Sequence, residues 1–150
     1  MQDRFRFRAW NKLSNEMKDV ISLNINYEFP ECSNVILETN TFDDIKTHNN
    51  SITCANGLNN VVLMQCTGLK DKNGKLIYEG DIVRYAEYEI EEIEPEWEYT
   101  EIVWGSNYDY PAFDLKIHNF ESNGLSEIFA CGWTIEVIGN IYENKELLSE

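Results

Sequence analysis

The stretch from Leu63 to Val83, LMQCTGLKDKNGKLIYEGDIV, decides the fold because it alternates β-type segments with turn residues. It begins within a short apolar run, Val61–Met64, which has the length of a strand rather than a helix. Asn73 and Gly74 tolerate a positive φ, which predicts a tight hairpin turn. Gly80 predicts a second sharp turn before another β-rich run. The stretch therefore predicts strands joined by two tight turns.

The N-terminal stretch RFRFRAW predicts the first strand of a β-hairpin. Its residues alternate between arginine and apolar types, so the strand would present one basic and one apolar face. The polar stretch KLSNE predicts a turn, and Met17–Ile25 predicts the return strand. Two interpretations fit Arg4, Arg6 and Arg8: contact with phosphate groups, or a solvated face that discourages edge pairing. We favour the solvated face, because charged residues are common on surfaces.

The strongest charge feature runs from Glu87 to Glu101 and is called the acidic segment below. It contains eight glutamates and no lysine or arginine. Apolar residues alternate with glutamate until a Glu doublet shifts the phase, which predicts two strands or one bulged strand. Pro95 argues against a helix. The candidate partner-binding residues are Glu87, Glu89, Glu91, Glu92, Glu94, Glu96, Glu98 and Glu101.

The other segments carry weaker patterns. Residues 31–60 show no strong period, although a short helix is expected at Phe42–Thr47. Strands are predicted at Ile102–Trp104, Ala112–Ile117 and Ile135–Tyr142, and a short helical turn is predicted in KELLSE. Before the last strand, SNGL predicts a turn and Leu125–Phe129 a short irregular segment.

Length and composition favour one β-rich domain. At 150 residues the chain is long enough to bury a core, and its 13% aromatic content suits pleated sheets. We predict a single, mainly β domain over residues 1–150, with an N-terminal hairpin and a short C-terminal helical turn. Its main part would be a small, partly open, barrel-like (SH3-like) sheet. Residues 1–60 and 61–142 are two candidate layers within this domain.

The lack of targeting signals and the spacing of the cysteines both predict an intracellular protein with reduced thiols. No apolar run reaches the roughly 18 residues that a membrane helix needs, and MQDRFRFRAW lacks the apolar core of a signal peptide. We therefore expect a soluble, cytoplasmic protein without membrane contact. The four cysteines show no C-x-x-C pair and no histidine at metal-ligand spacing. They predict reduced thiols rather than a metal site.

Catalytic motifs are absent from the sequence. It contains no G-x-S-x-G, H-E-x-x-H, Walker or dinucleotide-binding glycine pattern. His48 and His118 are its two histidines, and nothing in the sequence places either beside a cysteine. Asp109 and Asp114 suit acid-base or metal chemistry, but 27 acidic residues make such pairs frequent by chance. We therefore predict no enzyme activity, no cofactor and no metal.

Three islands of sequence resemble the YopX-like proteins of phages and prophages of Gram-positive bacteria. They are FRAW at Phe7–Trp10, the Leu63–Val83 stretch, and IEVIGNIYENKELL at Ile135–Leu148. Asn11 and Lys145 stand where this family usually has an aspartate and a proline. The resemblance implies a phage-encoded protein in the cytoplasm of a bacterial host, in a family whose activity is uncharacterised.

Charge narrows the classes of function. A net charge of −15 argues against coating nucleic acid, because lysine and arginine supply most non-specific affinity for phosphate. The first hypothesis is an accessory protein that binds a host or phage protein through the acidic segment, where complementary charge speeds association. Strand edges also allow a homo-oligomer.

Four alternatives remain, and one of them is an enzyme with a carboxylate-bound metal ion. The acids could serve only to keep the protein soluble. The protein could be an acidic DNA mimic that inhibits a host nucleic-acid-binding protein, or a nucleic-acid-binding module that uses Arg4, Arg6 and Arg8. One extended strand of the acidic segment carries one charge per about 6 Å, against one per about 1.7 Å in duplex DNA. A mimic would therefore require several acidic strands or an oligomer.

Overall fold

The computed structural model describes residues 5–24, 34–37, 60–87, 95–105 and 111–148. Within these ranges the elements are β1 (Phe7–Asn11), β2 (Glu16–Asn24), β3 (Asn34–Leu37), β4 (Val61–Lys70), β5 (Leu76–Tyr78), β6 (Asp81–Ala86), β7 (Glu98–Trp104), β8 (Phe113–Leu115), α1 (Gly124–Cys131), β9 (Thr134–Asn140) and a 3-10 helix (Lys145–Leu148). The predicted mainly β class, N-terminal hairpin and C-terminal helical turn are confirmed. The described strands form open antiparallel sheets rather than a closed barrel.

The chain divides into two compact units, which are treated separately below. Phe5–Gln65 form the N-terminal unit, and the chain from Cys66 onward forms the C-terminal unit. Strand β4 contributes its first half to the N-terminal unit, where it pairs with β1. Its second half belongs to the C-terminal unit, where it pairs with β5.

The N-terminal unit is a sheet in the order β3-β2-β1-β4. The turn between β1 and β2 lies at the predicted KLSNE stretch, where Asn11 Oδ1 accepts a hydrogen bond from the Leu13 amide at 2.9 Å. Asn15 completes this turn with a φ of 53°, a left-handed conformation that asparagine tolerates better than most residues. The core of the unit consists of Ala9, Val35, Leu37 and Val61, with Val20, Leu23 and Leu63 packed against it.

The prediction of one basic face on the first strand is wrong at Arg8. Arg8 is only 8% exposed and its neighbour Ala9 is fully buried, so both faces of β1 are covered at this point. The Arg8 guanidinium donates to Met64 Sδ at 3.9 Å. Pairing with β2 and β4 occupies only the edges of β1, so it is the burial of the Arg8 side chain that shows a covered face at this position, whereas Arg6 is exposed.

A bulge interrupts the alternation of buried and exposed residues in β2. The register with β3 shifts between Val20 and Ser22. As a result Val20 and Leu23 both pack against the core although they are three positions apart, and Ile21 is exposed. A one-residue insertion of this kind reverses the faces of all residues that follow it.

The C-terminal unit is built around a four-stranded sheet in the order β8-β7-β6-β9. One face of this sheet, the core face, packs against α1 and the β4–β5 hairpin. The core residues are Ile77, Val83, Tyr85, Ile102, Leu115, Leu125, Ile128, Ile135 and Val137. The opposite face is called the outer face below, and it carries the candidate interaction surface.

Both predicted turns of the Leu63–Val83 stretch are confirmed. Gly74 has a φ of 81°, and its amide donates to the Asp71 carbonyl at 2.9 Å. Gly80 has a φ of 75° and joins two elements of the sheet: its amide donates to Ile102 O and its carbonyl accepts from the Ile141 amide. Of the Asn73-Gly74 pair, the glycine takes the positive φ.

The hairpin turn also covers the free edge of β9. Asp71 Oδ1 accepts from the amides of Asn73 and Lys75 at 2.9 Å, which holds the turn. Its second oxygen, Oδ2, accepts from the buried Val137 amide at 3.1 Å. The Lys72 amide donates to Ile135 O at 3.0 Å. The turn thus pairs backbone groups that an edge strand would otherwise expose.

The prediction of a turn and an irregular segment before the last strand is wrong, because Gly124–Cys131 form helix α1. Asn123 is its N-cap and accepts from the Ser126 amide at 2.7 Å, while Gly132 ends the helix with a φ of 71°. The amide group of Asn123 also donates to Phe113 O at 2.9 Å. This bond covers the edge of the short strand β8.

Some sequence predictions fall outside the described residues. Among them are the helix at Phe42–Thr47, Arg4, His48 and Asp109. Strand β3, by contrast, lies in a stretch where the sequence showed no period. Among the described residues, no helix has both the length and the apolar character to span a membrane.

Candidate interaction surface

The outer face of the four-stranded sheet carries a row of three polar and aromatic side chains at its centre. Register places Arg84 of β6 opposite Tyr99 of β7 on one side and Glu136 of β9 on the other. Arg84 donates to Glu136 Oε2 through Nε at 2.9 Å and through Nη2 at 2.6 Å. The hydrogen bond from Arg84 lowers the pKa of Glu136, and the same bond raises the pKa of Arg84. Both groups therefore stay charged, and the row is fixed in place.

Trp97 lies on this row and joins the acidic segment to the sheet. Its ring lies 4.3 Å from the Arg84 guanidinium carbon and 5.1 Å from Lys72 Nζ. Lys72 in turn contacts Glu136 Oε2 at 3.3 Å. Cations over an indole ring contribute about 0.5–1 kcal/mol at exposed sites. Arg84 and Lys72 therefore both contact the ring, and both also pair with the Glu136 carboxylate.

A cavity of about 340 Å³ lies beside this row, between β7 and the C-terminal 3-10 helix. It is called the β7 groove. Its lining residues are Tyr99, Thr100, Glu101, Lys116, Ile117, Leu147 and Leu148. Lys116 Nζ contacts Glu101 Oε2 at 2.7 Å, and the Lys116 amide donates to the Glu101 carbonyl at 2.8 Å. Besides this ion pair, the lining consists of the exposed apolar side chains of Tyr99, Ile117 and Leu147, the buried Thr100 and the partly buried Leu148.

The glutamates of the acidic segment do not share one environment. Glu87 and Glu96 are exposed. Glu98 is also exposed but accepts from the buried Tyr85 hydroxyl at 2.6 Å, and Glu101 is paired with Lys116. Glu89, Glu91, Glu92 and Glu94 lie outside the described residues. Within the described part of the acidic segment, Glu87 and Glu96 are therefore the exposed carboxylates that form no hydrogen bond or ion pair with another described residue.

The Tyr85–Glu98 contact belongs to the core face. Burial raises the pKa of Tyr85, and the hydrogen bond to Glu98 raises it further. The Tyr85 ring lies 6.3 Å from that of Trp133 and 6.4 Å from that of Phe120, so it is part of a buried aromatic cluster. Glu98 therefore has a structural role that the charge pattern alone did not reveal.

The side chains of Asp114, a candidate for acid-base or metal chemistry in the sequence, and His118, one of its two histidines, are buried together beside α1. His118 Nε2 lies 3.3 Å from Asp114 Oδ2, and His118 Nδ1 accepts from the Phe120 amide at 3.2 Å. Because Nδ1 is an acceptor here, Nε2 carries the ring proton and donates to the carboxylate. Asp114 Oδ1 also accepts from the Leu125 amide in the first turn of α1. The pair fastens the helix to β8.

The described residues contain no group of three or more His, Cys, Asp or Glu side chains placed to hold a metal ion. Cys66 is buried and Cys131 is exposed, and both are free thiols.

The geometry explains why two of the resembling islands occur together. The Leu63–Val83 island supplies Asp71, which binds the Val137 amide of the third island, and Gly80, which binds Ile141. The FRAW island pairs within the N-terminal unit, where Ala9 lies opposite Leu63. The model of the YopX protein family matches residues 6–149. The chain belongs to the YopX protein family.

Solved structures show the same fold. The chain is similar to protein EF1440 from Enterococcus faecalis, with 26% identity, coverage of 95% of this chain and 96% of that chain, and a TM-score of 0.52. It is also similar to protein yopX from Bacillus subtilis, with 22% identity, coverage of 97% and 98%, and a TM-score of 0.51. No curated protein sequence matches the chain. Both solved structures match nearly the whole chain, and neither description names an activity.

Sequence reasoning missed most of this surface. Arg84, Trp97 and Glu136 come together only through strand register, since 52 positions separate Arg84 from Glu136. Ile117 and Leu147 were assigned to a strand and to a helical turn, with no reason to pair them. The one available signal was Trp97, a large aromatic residue inside a run of glutamates.

Proposed function

We propose that the protein is a non-enzymatic accessory protein that binds a partner protein with a basic surface through the acidic segment. The phage or prophage origin that the family resemblance implies makes a host or phage protein the expected partner. Besides its charge, the acidic segment has an aromatic residue, Trp97, in contact with the sheet.

The anchoring of Trp97 is the observation that carries the proposal. The ring centroid lies 4.3 Å from the Arg84 guanidinium carbon and 5.1 Å from Lys72 Nζ, and both cations contact Glu136 Oε2, so this part of the acidic segment lies against the sheet at Arg84. Tyr99, two residues later, is half-exposed on the outer face. Tryptophan, tyrosine and arginine are the residue types that dominate binding energy in protein interfaces. Exposed carboxylates at Glu87 and Glu96 would then steer a basic partner toward these aromatic groups.

The test compares two charge-reversed variants. Glu87→Lys combined with Glu96→Lys changes exposed acids of the acidic segment and spares Glu98, whose carboxylate the Tyr85 hydroxyl needs. Asp19→Lys combined with Glu121→Lys reverses two exposed acids outside the acidic segment and changes the net charge by the same amount. Tagged protein is used to capture partners from host cells that carry phage, and each partner is then purified and titrated.

We expect the segment variant to bind a purified partner more weakly, mainly through slower association, with a difference that shrinks as salt is added. The control variant should bind as the unaltered protein does. Equal binding by all three proteins would contradict a role for the acidic segment. Loss of binding in the control to the same degree would show a response to net charge alone.

A further inference from the structure

Asn73 and Gly74 form an asparagine-glycine pair in the turn between β4 and β5. Glycine has no side chain, so in such a pair its backbone nitrogen can reach the side-chain carbonyl carbon of the preceding asparagine. Both residues are exposed, and a Cβ atom added at Gly74 would meet nothing within 4 Å. The turn therefore has both the chemical groups and the open space for a reaction between its own backbone and the Asn73 side chain.

The contacts that hold Asn73 and Gly74 lie at the surface. Asn73 Nδ2 donates to Glu136 Oε1 at 3.3 Å, and the Gly74 amide donates to the Asp71 carbonyl at 2.9 Å. Because both donors are exposed, water replaces either bond when the turn moves. The two bonds therefore oppose the reaction only weakly.

A second asparagine-glycine pair, Asn123 and Gly124, is held much more firmly at the start of α1. Asn123 Oδ1 accepts from the Ser126 amide at 2.7 Å, and Asn123 Nδ2 donates to Phe113 O at 2.9 Å. Gly124 is buried, and a Cβ atom added there would lie 2.9 Å from the rings of two neighbouring side chains. This pair must leave the N-cap and unpack before it can react. A third such pair, at positions 56 and 57, lies outside the described residues.

We infer that Asn73 is a site of spontaneous deamidation in the folded protein. The Gly74 backbone nitrogen loses its proton and forms a bond to Asn73 Cγ, the Cγ–Nδ2 bond breaks, and Nδ2 leaves as ammonia. Water then opens the cyclic imide. Opening at Cγ gives aspartate, whereas opening at the main-chain carbonyl carbon gives isoaspartate, whose backbone runs through Cβ and Cγ. The reaction consumes only water, adds one negative charge and is independent of the proposed function.

The two products change the turn to different degrees. A carboxylate does not donate, so the bond from position 73 to Glu136 Oε1 is lost in both products. Isoaspartate also lengthens the backbone ahead of Gly74 and Lys75, whose amides bind the Asp71 carbonyl and carboxylate. The same carboxylate binds β9 through the Val137 amide. Isoaspartate should therefore weaken the contact between the turn and β9 more than aspartate does.

The test incubates the protein at mildly alkaline pH, both folded and in concentrated urea, in water enriched in heavy oxygen. Peptide mapping by mass spectrometry then measures the labelled carboxyl groups at positions 73 and 123 of the same sample. In the folded protein Asn73 should convert faster than Asn123 by about tenfold or more, since Asn123 must first break two hydrogen bonds. In urea the two rates should approach each other, because the pairs then differ only in local sequence.

Two variants at position 73 separate the products. Asn73→Ser cannot form the imide at this position, so anion exchange should show no acidic species that maps to it. Asn73→Asp supplies the aspartate product without isoaspartate. The isoaspartate form, purified from the incubated protein, should melt at a lower temperature than both Asn73→Asp and the unaltered protein.

Four results would overturn the inference. Asn73 stays intact in the folded protein, or Asn123 converts as fast as Asn73 does there. The ratio of the two rates is the same with and without urea, which would assign the difference to local sequence rather than to the fold. The isoaspartate form melts together with Asn73→Asp, which would remove the effect assigned to the lengthened turn.

Discussion

Replacing Asp71 should remove the contact that joins the hairpin turn to β9. Its carboxylate accepts three backbone amides: those of Asn73 and Lys75 at 2.9 Å and that of Val137 at 3.1 Å. Asp71 is itself buried, with 6% of its surface exposed. Asp71→Ala leaves these amides without their acceptor, and Asp71→Asn keeps one acceptor oxygen.

The expected loss follows from where each amide lies. Asn73 and Lys75 are exposed, so water replaces the carboxylate and each lost bond costs about 0.5–1 kcal/mol. The Val137 amide is buried, so an unmet donor there costs about 1.5–3 kcal/mol. Asp71→Ala should therefore lower the free energy of unfolding by about 2.5–5 kcal/mol, and Asp71→Asn by about half as much.

Urea unfolding followed by tryptophan fluorescence measures this loss. With a slope of about 1–3 kcal/mol per molar urea, the midpoint of Asp71→Ala should fall by at least about 1 M. Glu121→Ala, an exposed carboxylate in a loop, is the control and should change stability by less than about 0.5 kcal/mol. If Asp71→Ala unfolded at the midpoint of this control with an unchanged slope, the role assigned to Asp71 would be refuted.

Three further predictions concern groups of the C-terminal unit. The pKa of Tyr85 is raised above 10.0, so the stability that this residue contributes is complete below pH 10.0 and is lost as the pH rises through the raised pKa. Tyr85→Phe should remove this alkaline loss of stability in thermal melts. An unchanged dependence of the melting temperature on pH would contradict the assignment to Tyr85. The pKa of Glu136 is lowered from 4.5, so the stability that this residue contributes is present above pH 4.5 and is lost as the pH falls through the lowered pKa. Glu136→Gln should lower the free energy of unfolding by about 0.5–1 kcal/mol at neutral pH and reduce the loss of melting temperature in acid. An equally steep loss in acid would show that Glu136 does not cause it. Asn123→Ala should lower the free energy of unfolding in urea by about 1–2 kcal/mol, because the N-cap of α1 is lost. Asn123→Asp should restore the cap but not the bond to Phe113 O. Equal stability of both variants and the unaltered protein would show that the cap contributes nothing.

The sequence was most informative where backbone geometry restricts the residue type. Gly74 and Gly80 require a positive φ, and this alone placed both turns of the Leu63–Val83 stretch and the strands beside them. It failed where packing decides. The alternation around Arg8 predicted a solvated face, because the alternation of residue types does not report what packs against each face of the sheet.

Helix α1 shows a different limit. Asn123 and Gly132 are an N-cap and a C-terminal glycine at the right separation, so the signal was present. The eight residues between them were too few for the apolar period to distinguish a helix from an irregular segment.

The candidate surface was only partly predictable, because its parts come from different strands. The acidic segment drew attention to residues 87–101, but charge did not distinguish Glu98, which binds Tyr85, from Glu96, which is exposed. The stack of Arg84 on Trp97 depends on the register of β6 and β7, and the groove depends on where the 3-10 helix lies. A single sequence does not specify either.

The covered edges of the four-stranded sheet bear on how this protein behaves when its charge is removed. Near the isoelectric point of about 4.4 the repulsion between molecules disappears and the protein should become least soluble. With β9 covered by the hairpin turn and β8 by Asn123, this sheet offers no template for growth by cross-β stacking. Isoelectric precipitates of the folded protein should accordingly be amorphous and redissolve at neutral pH, rather than convert to fibrils.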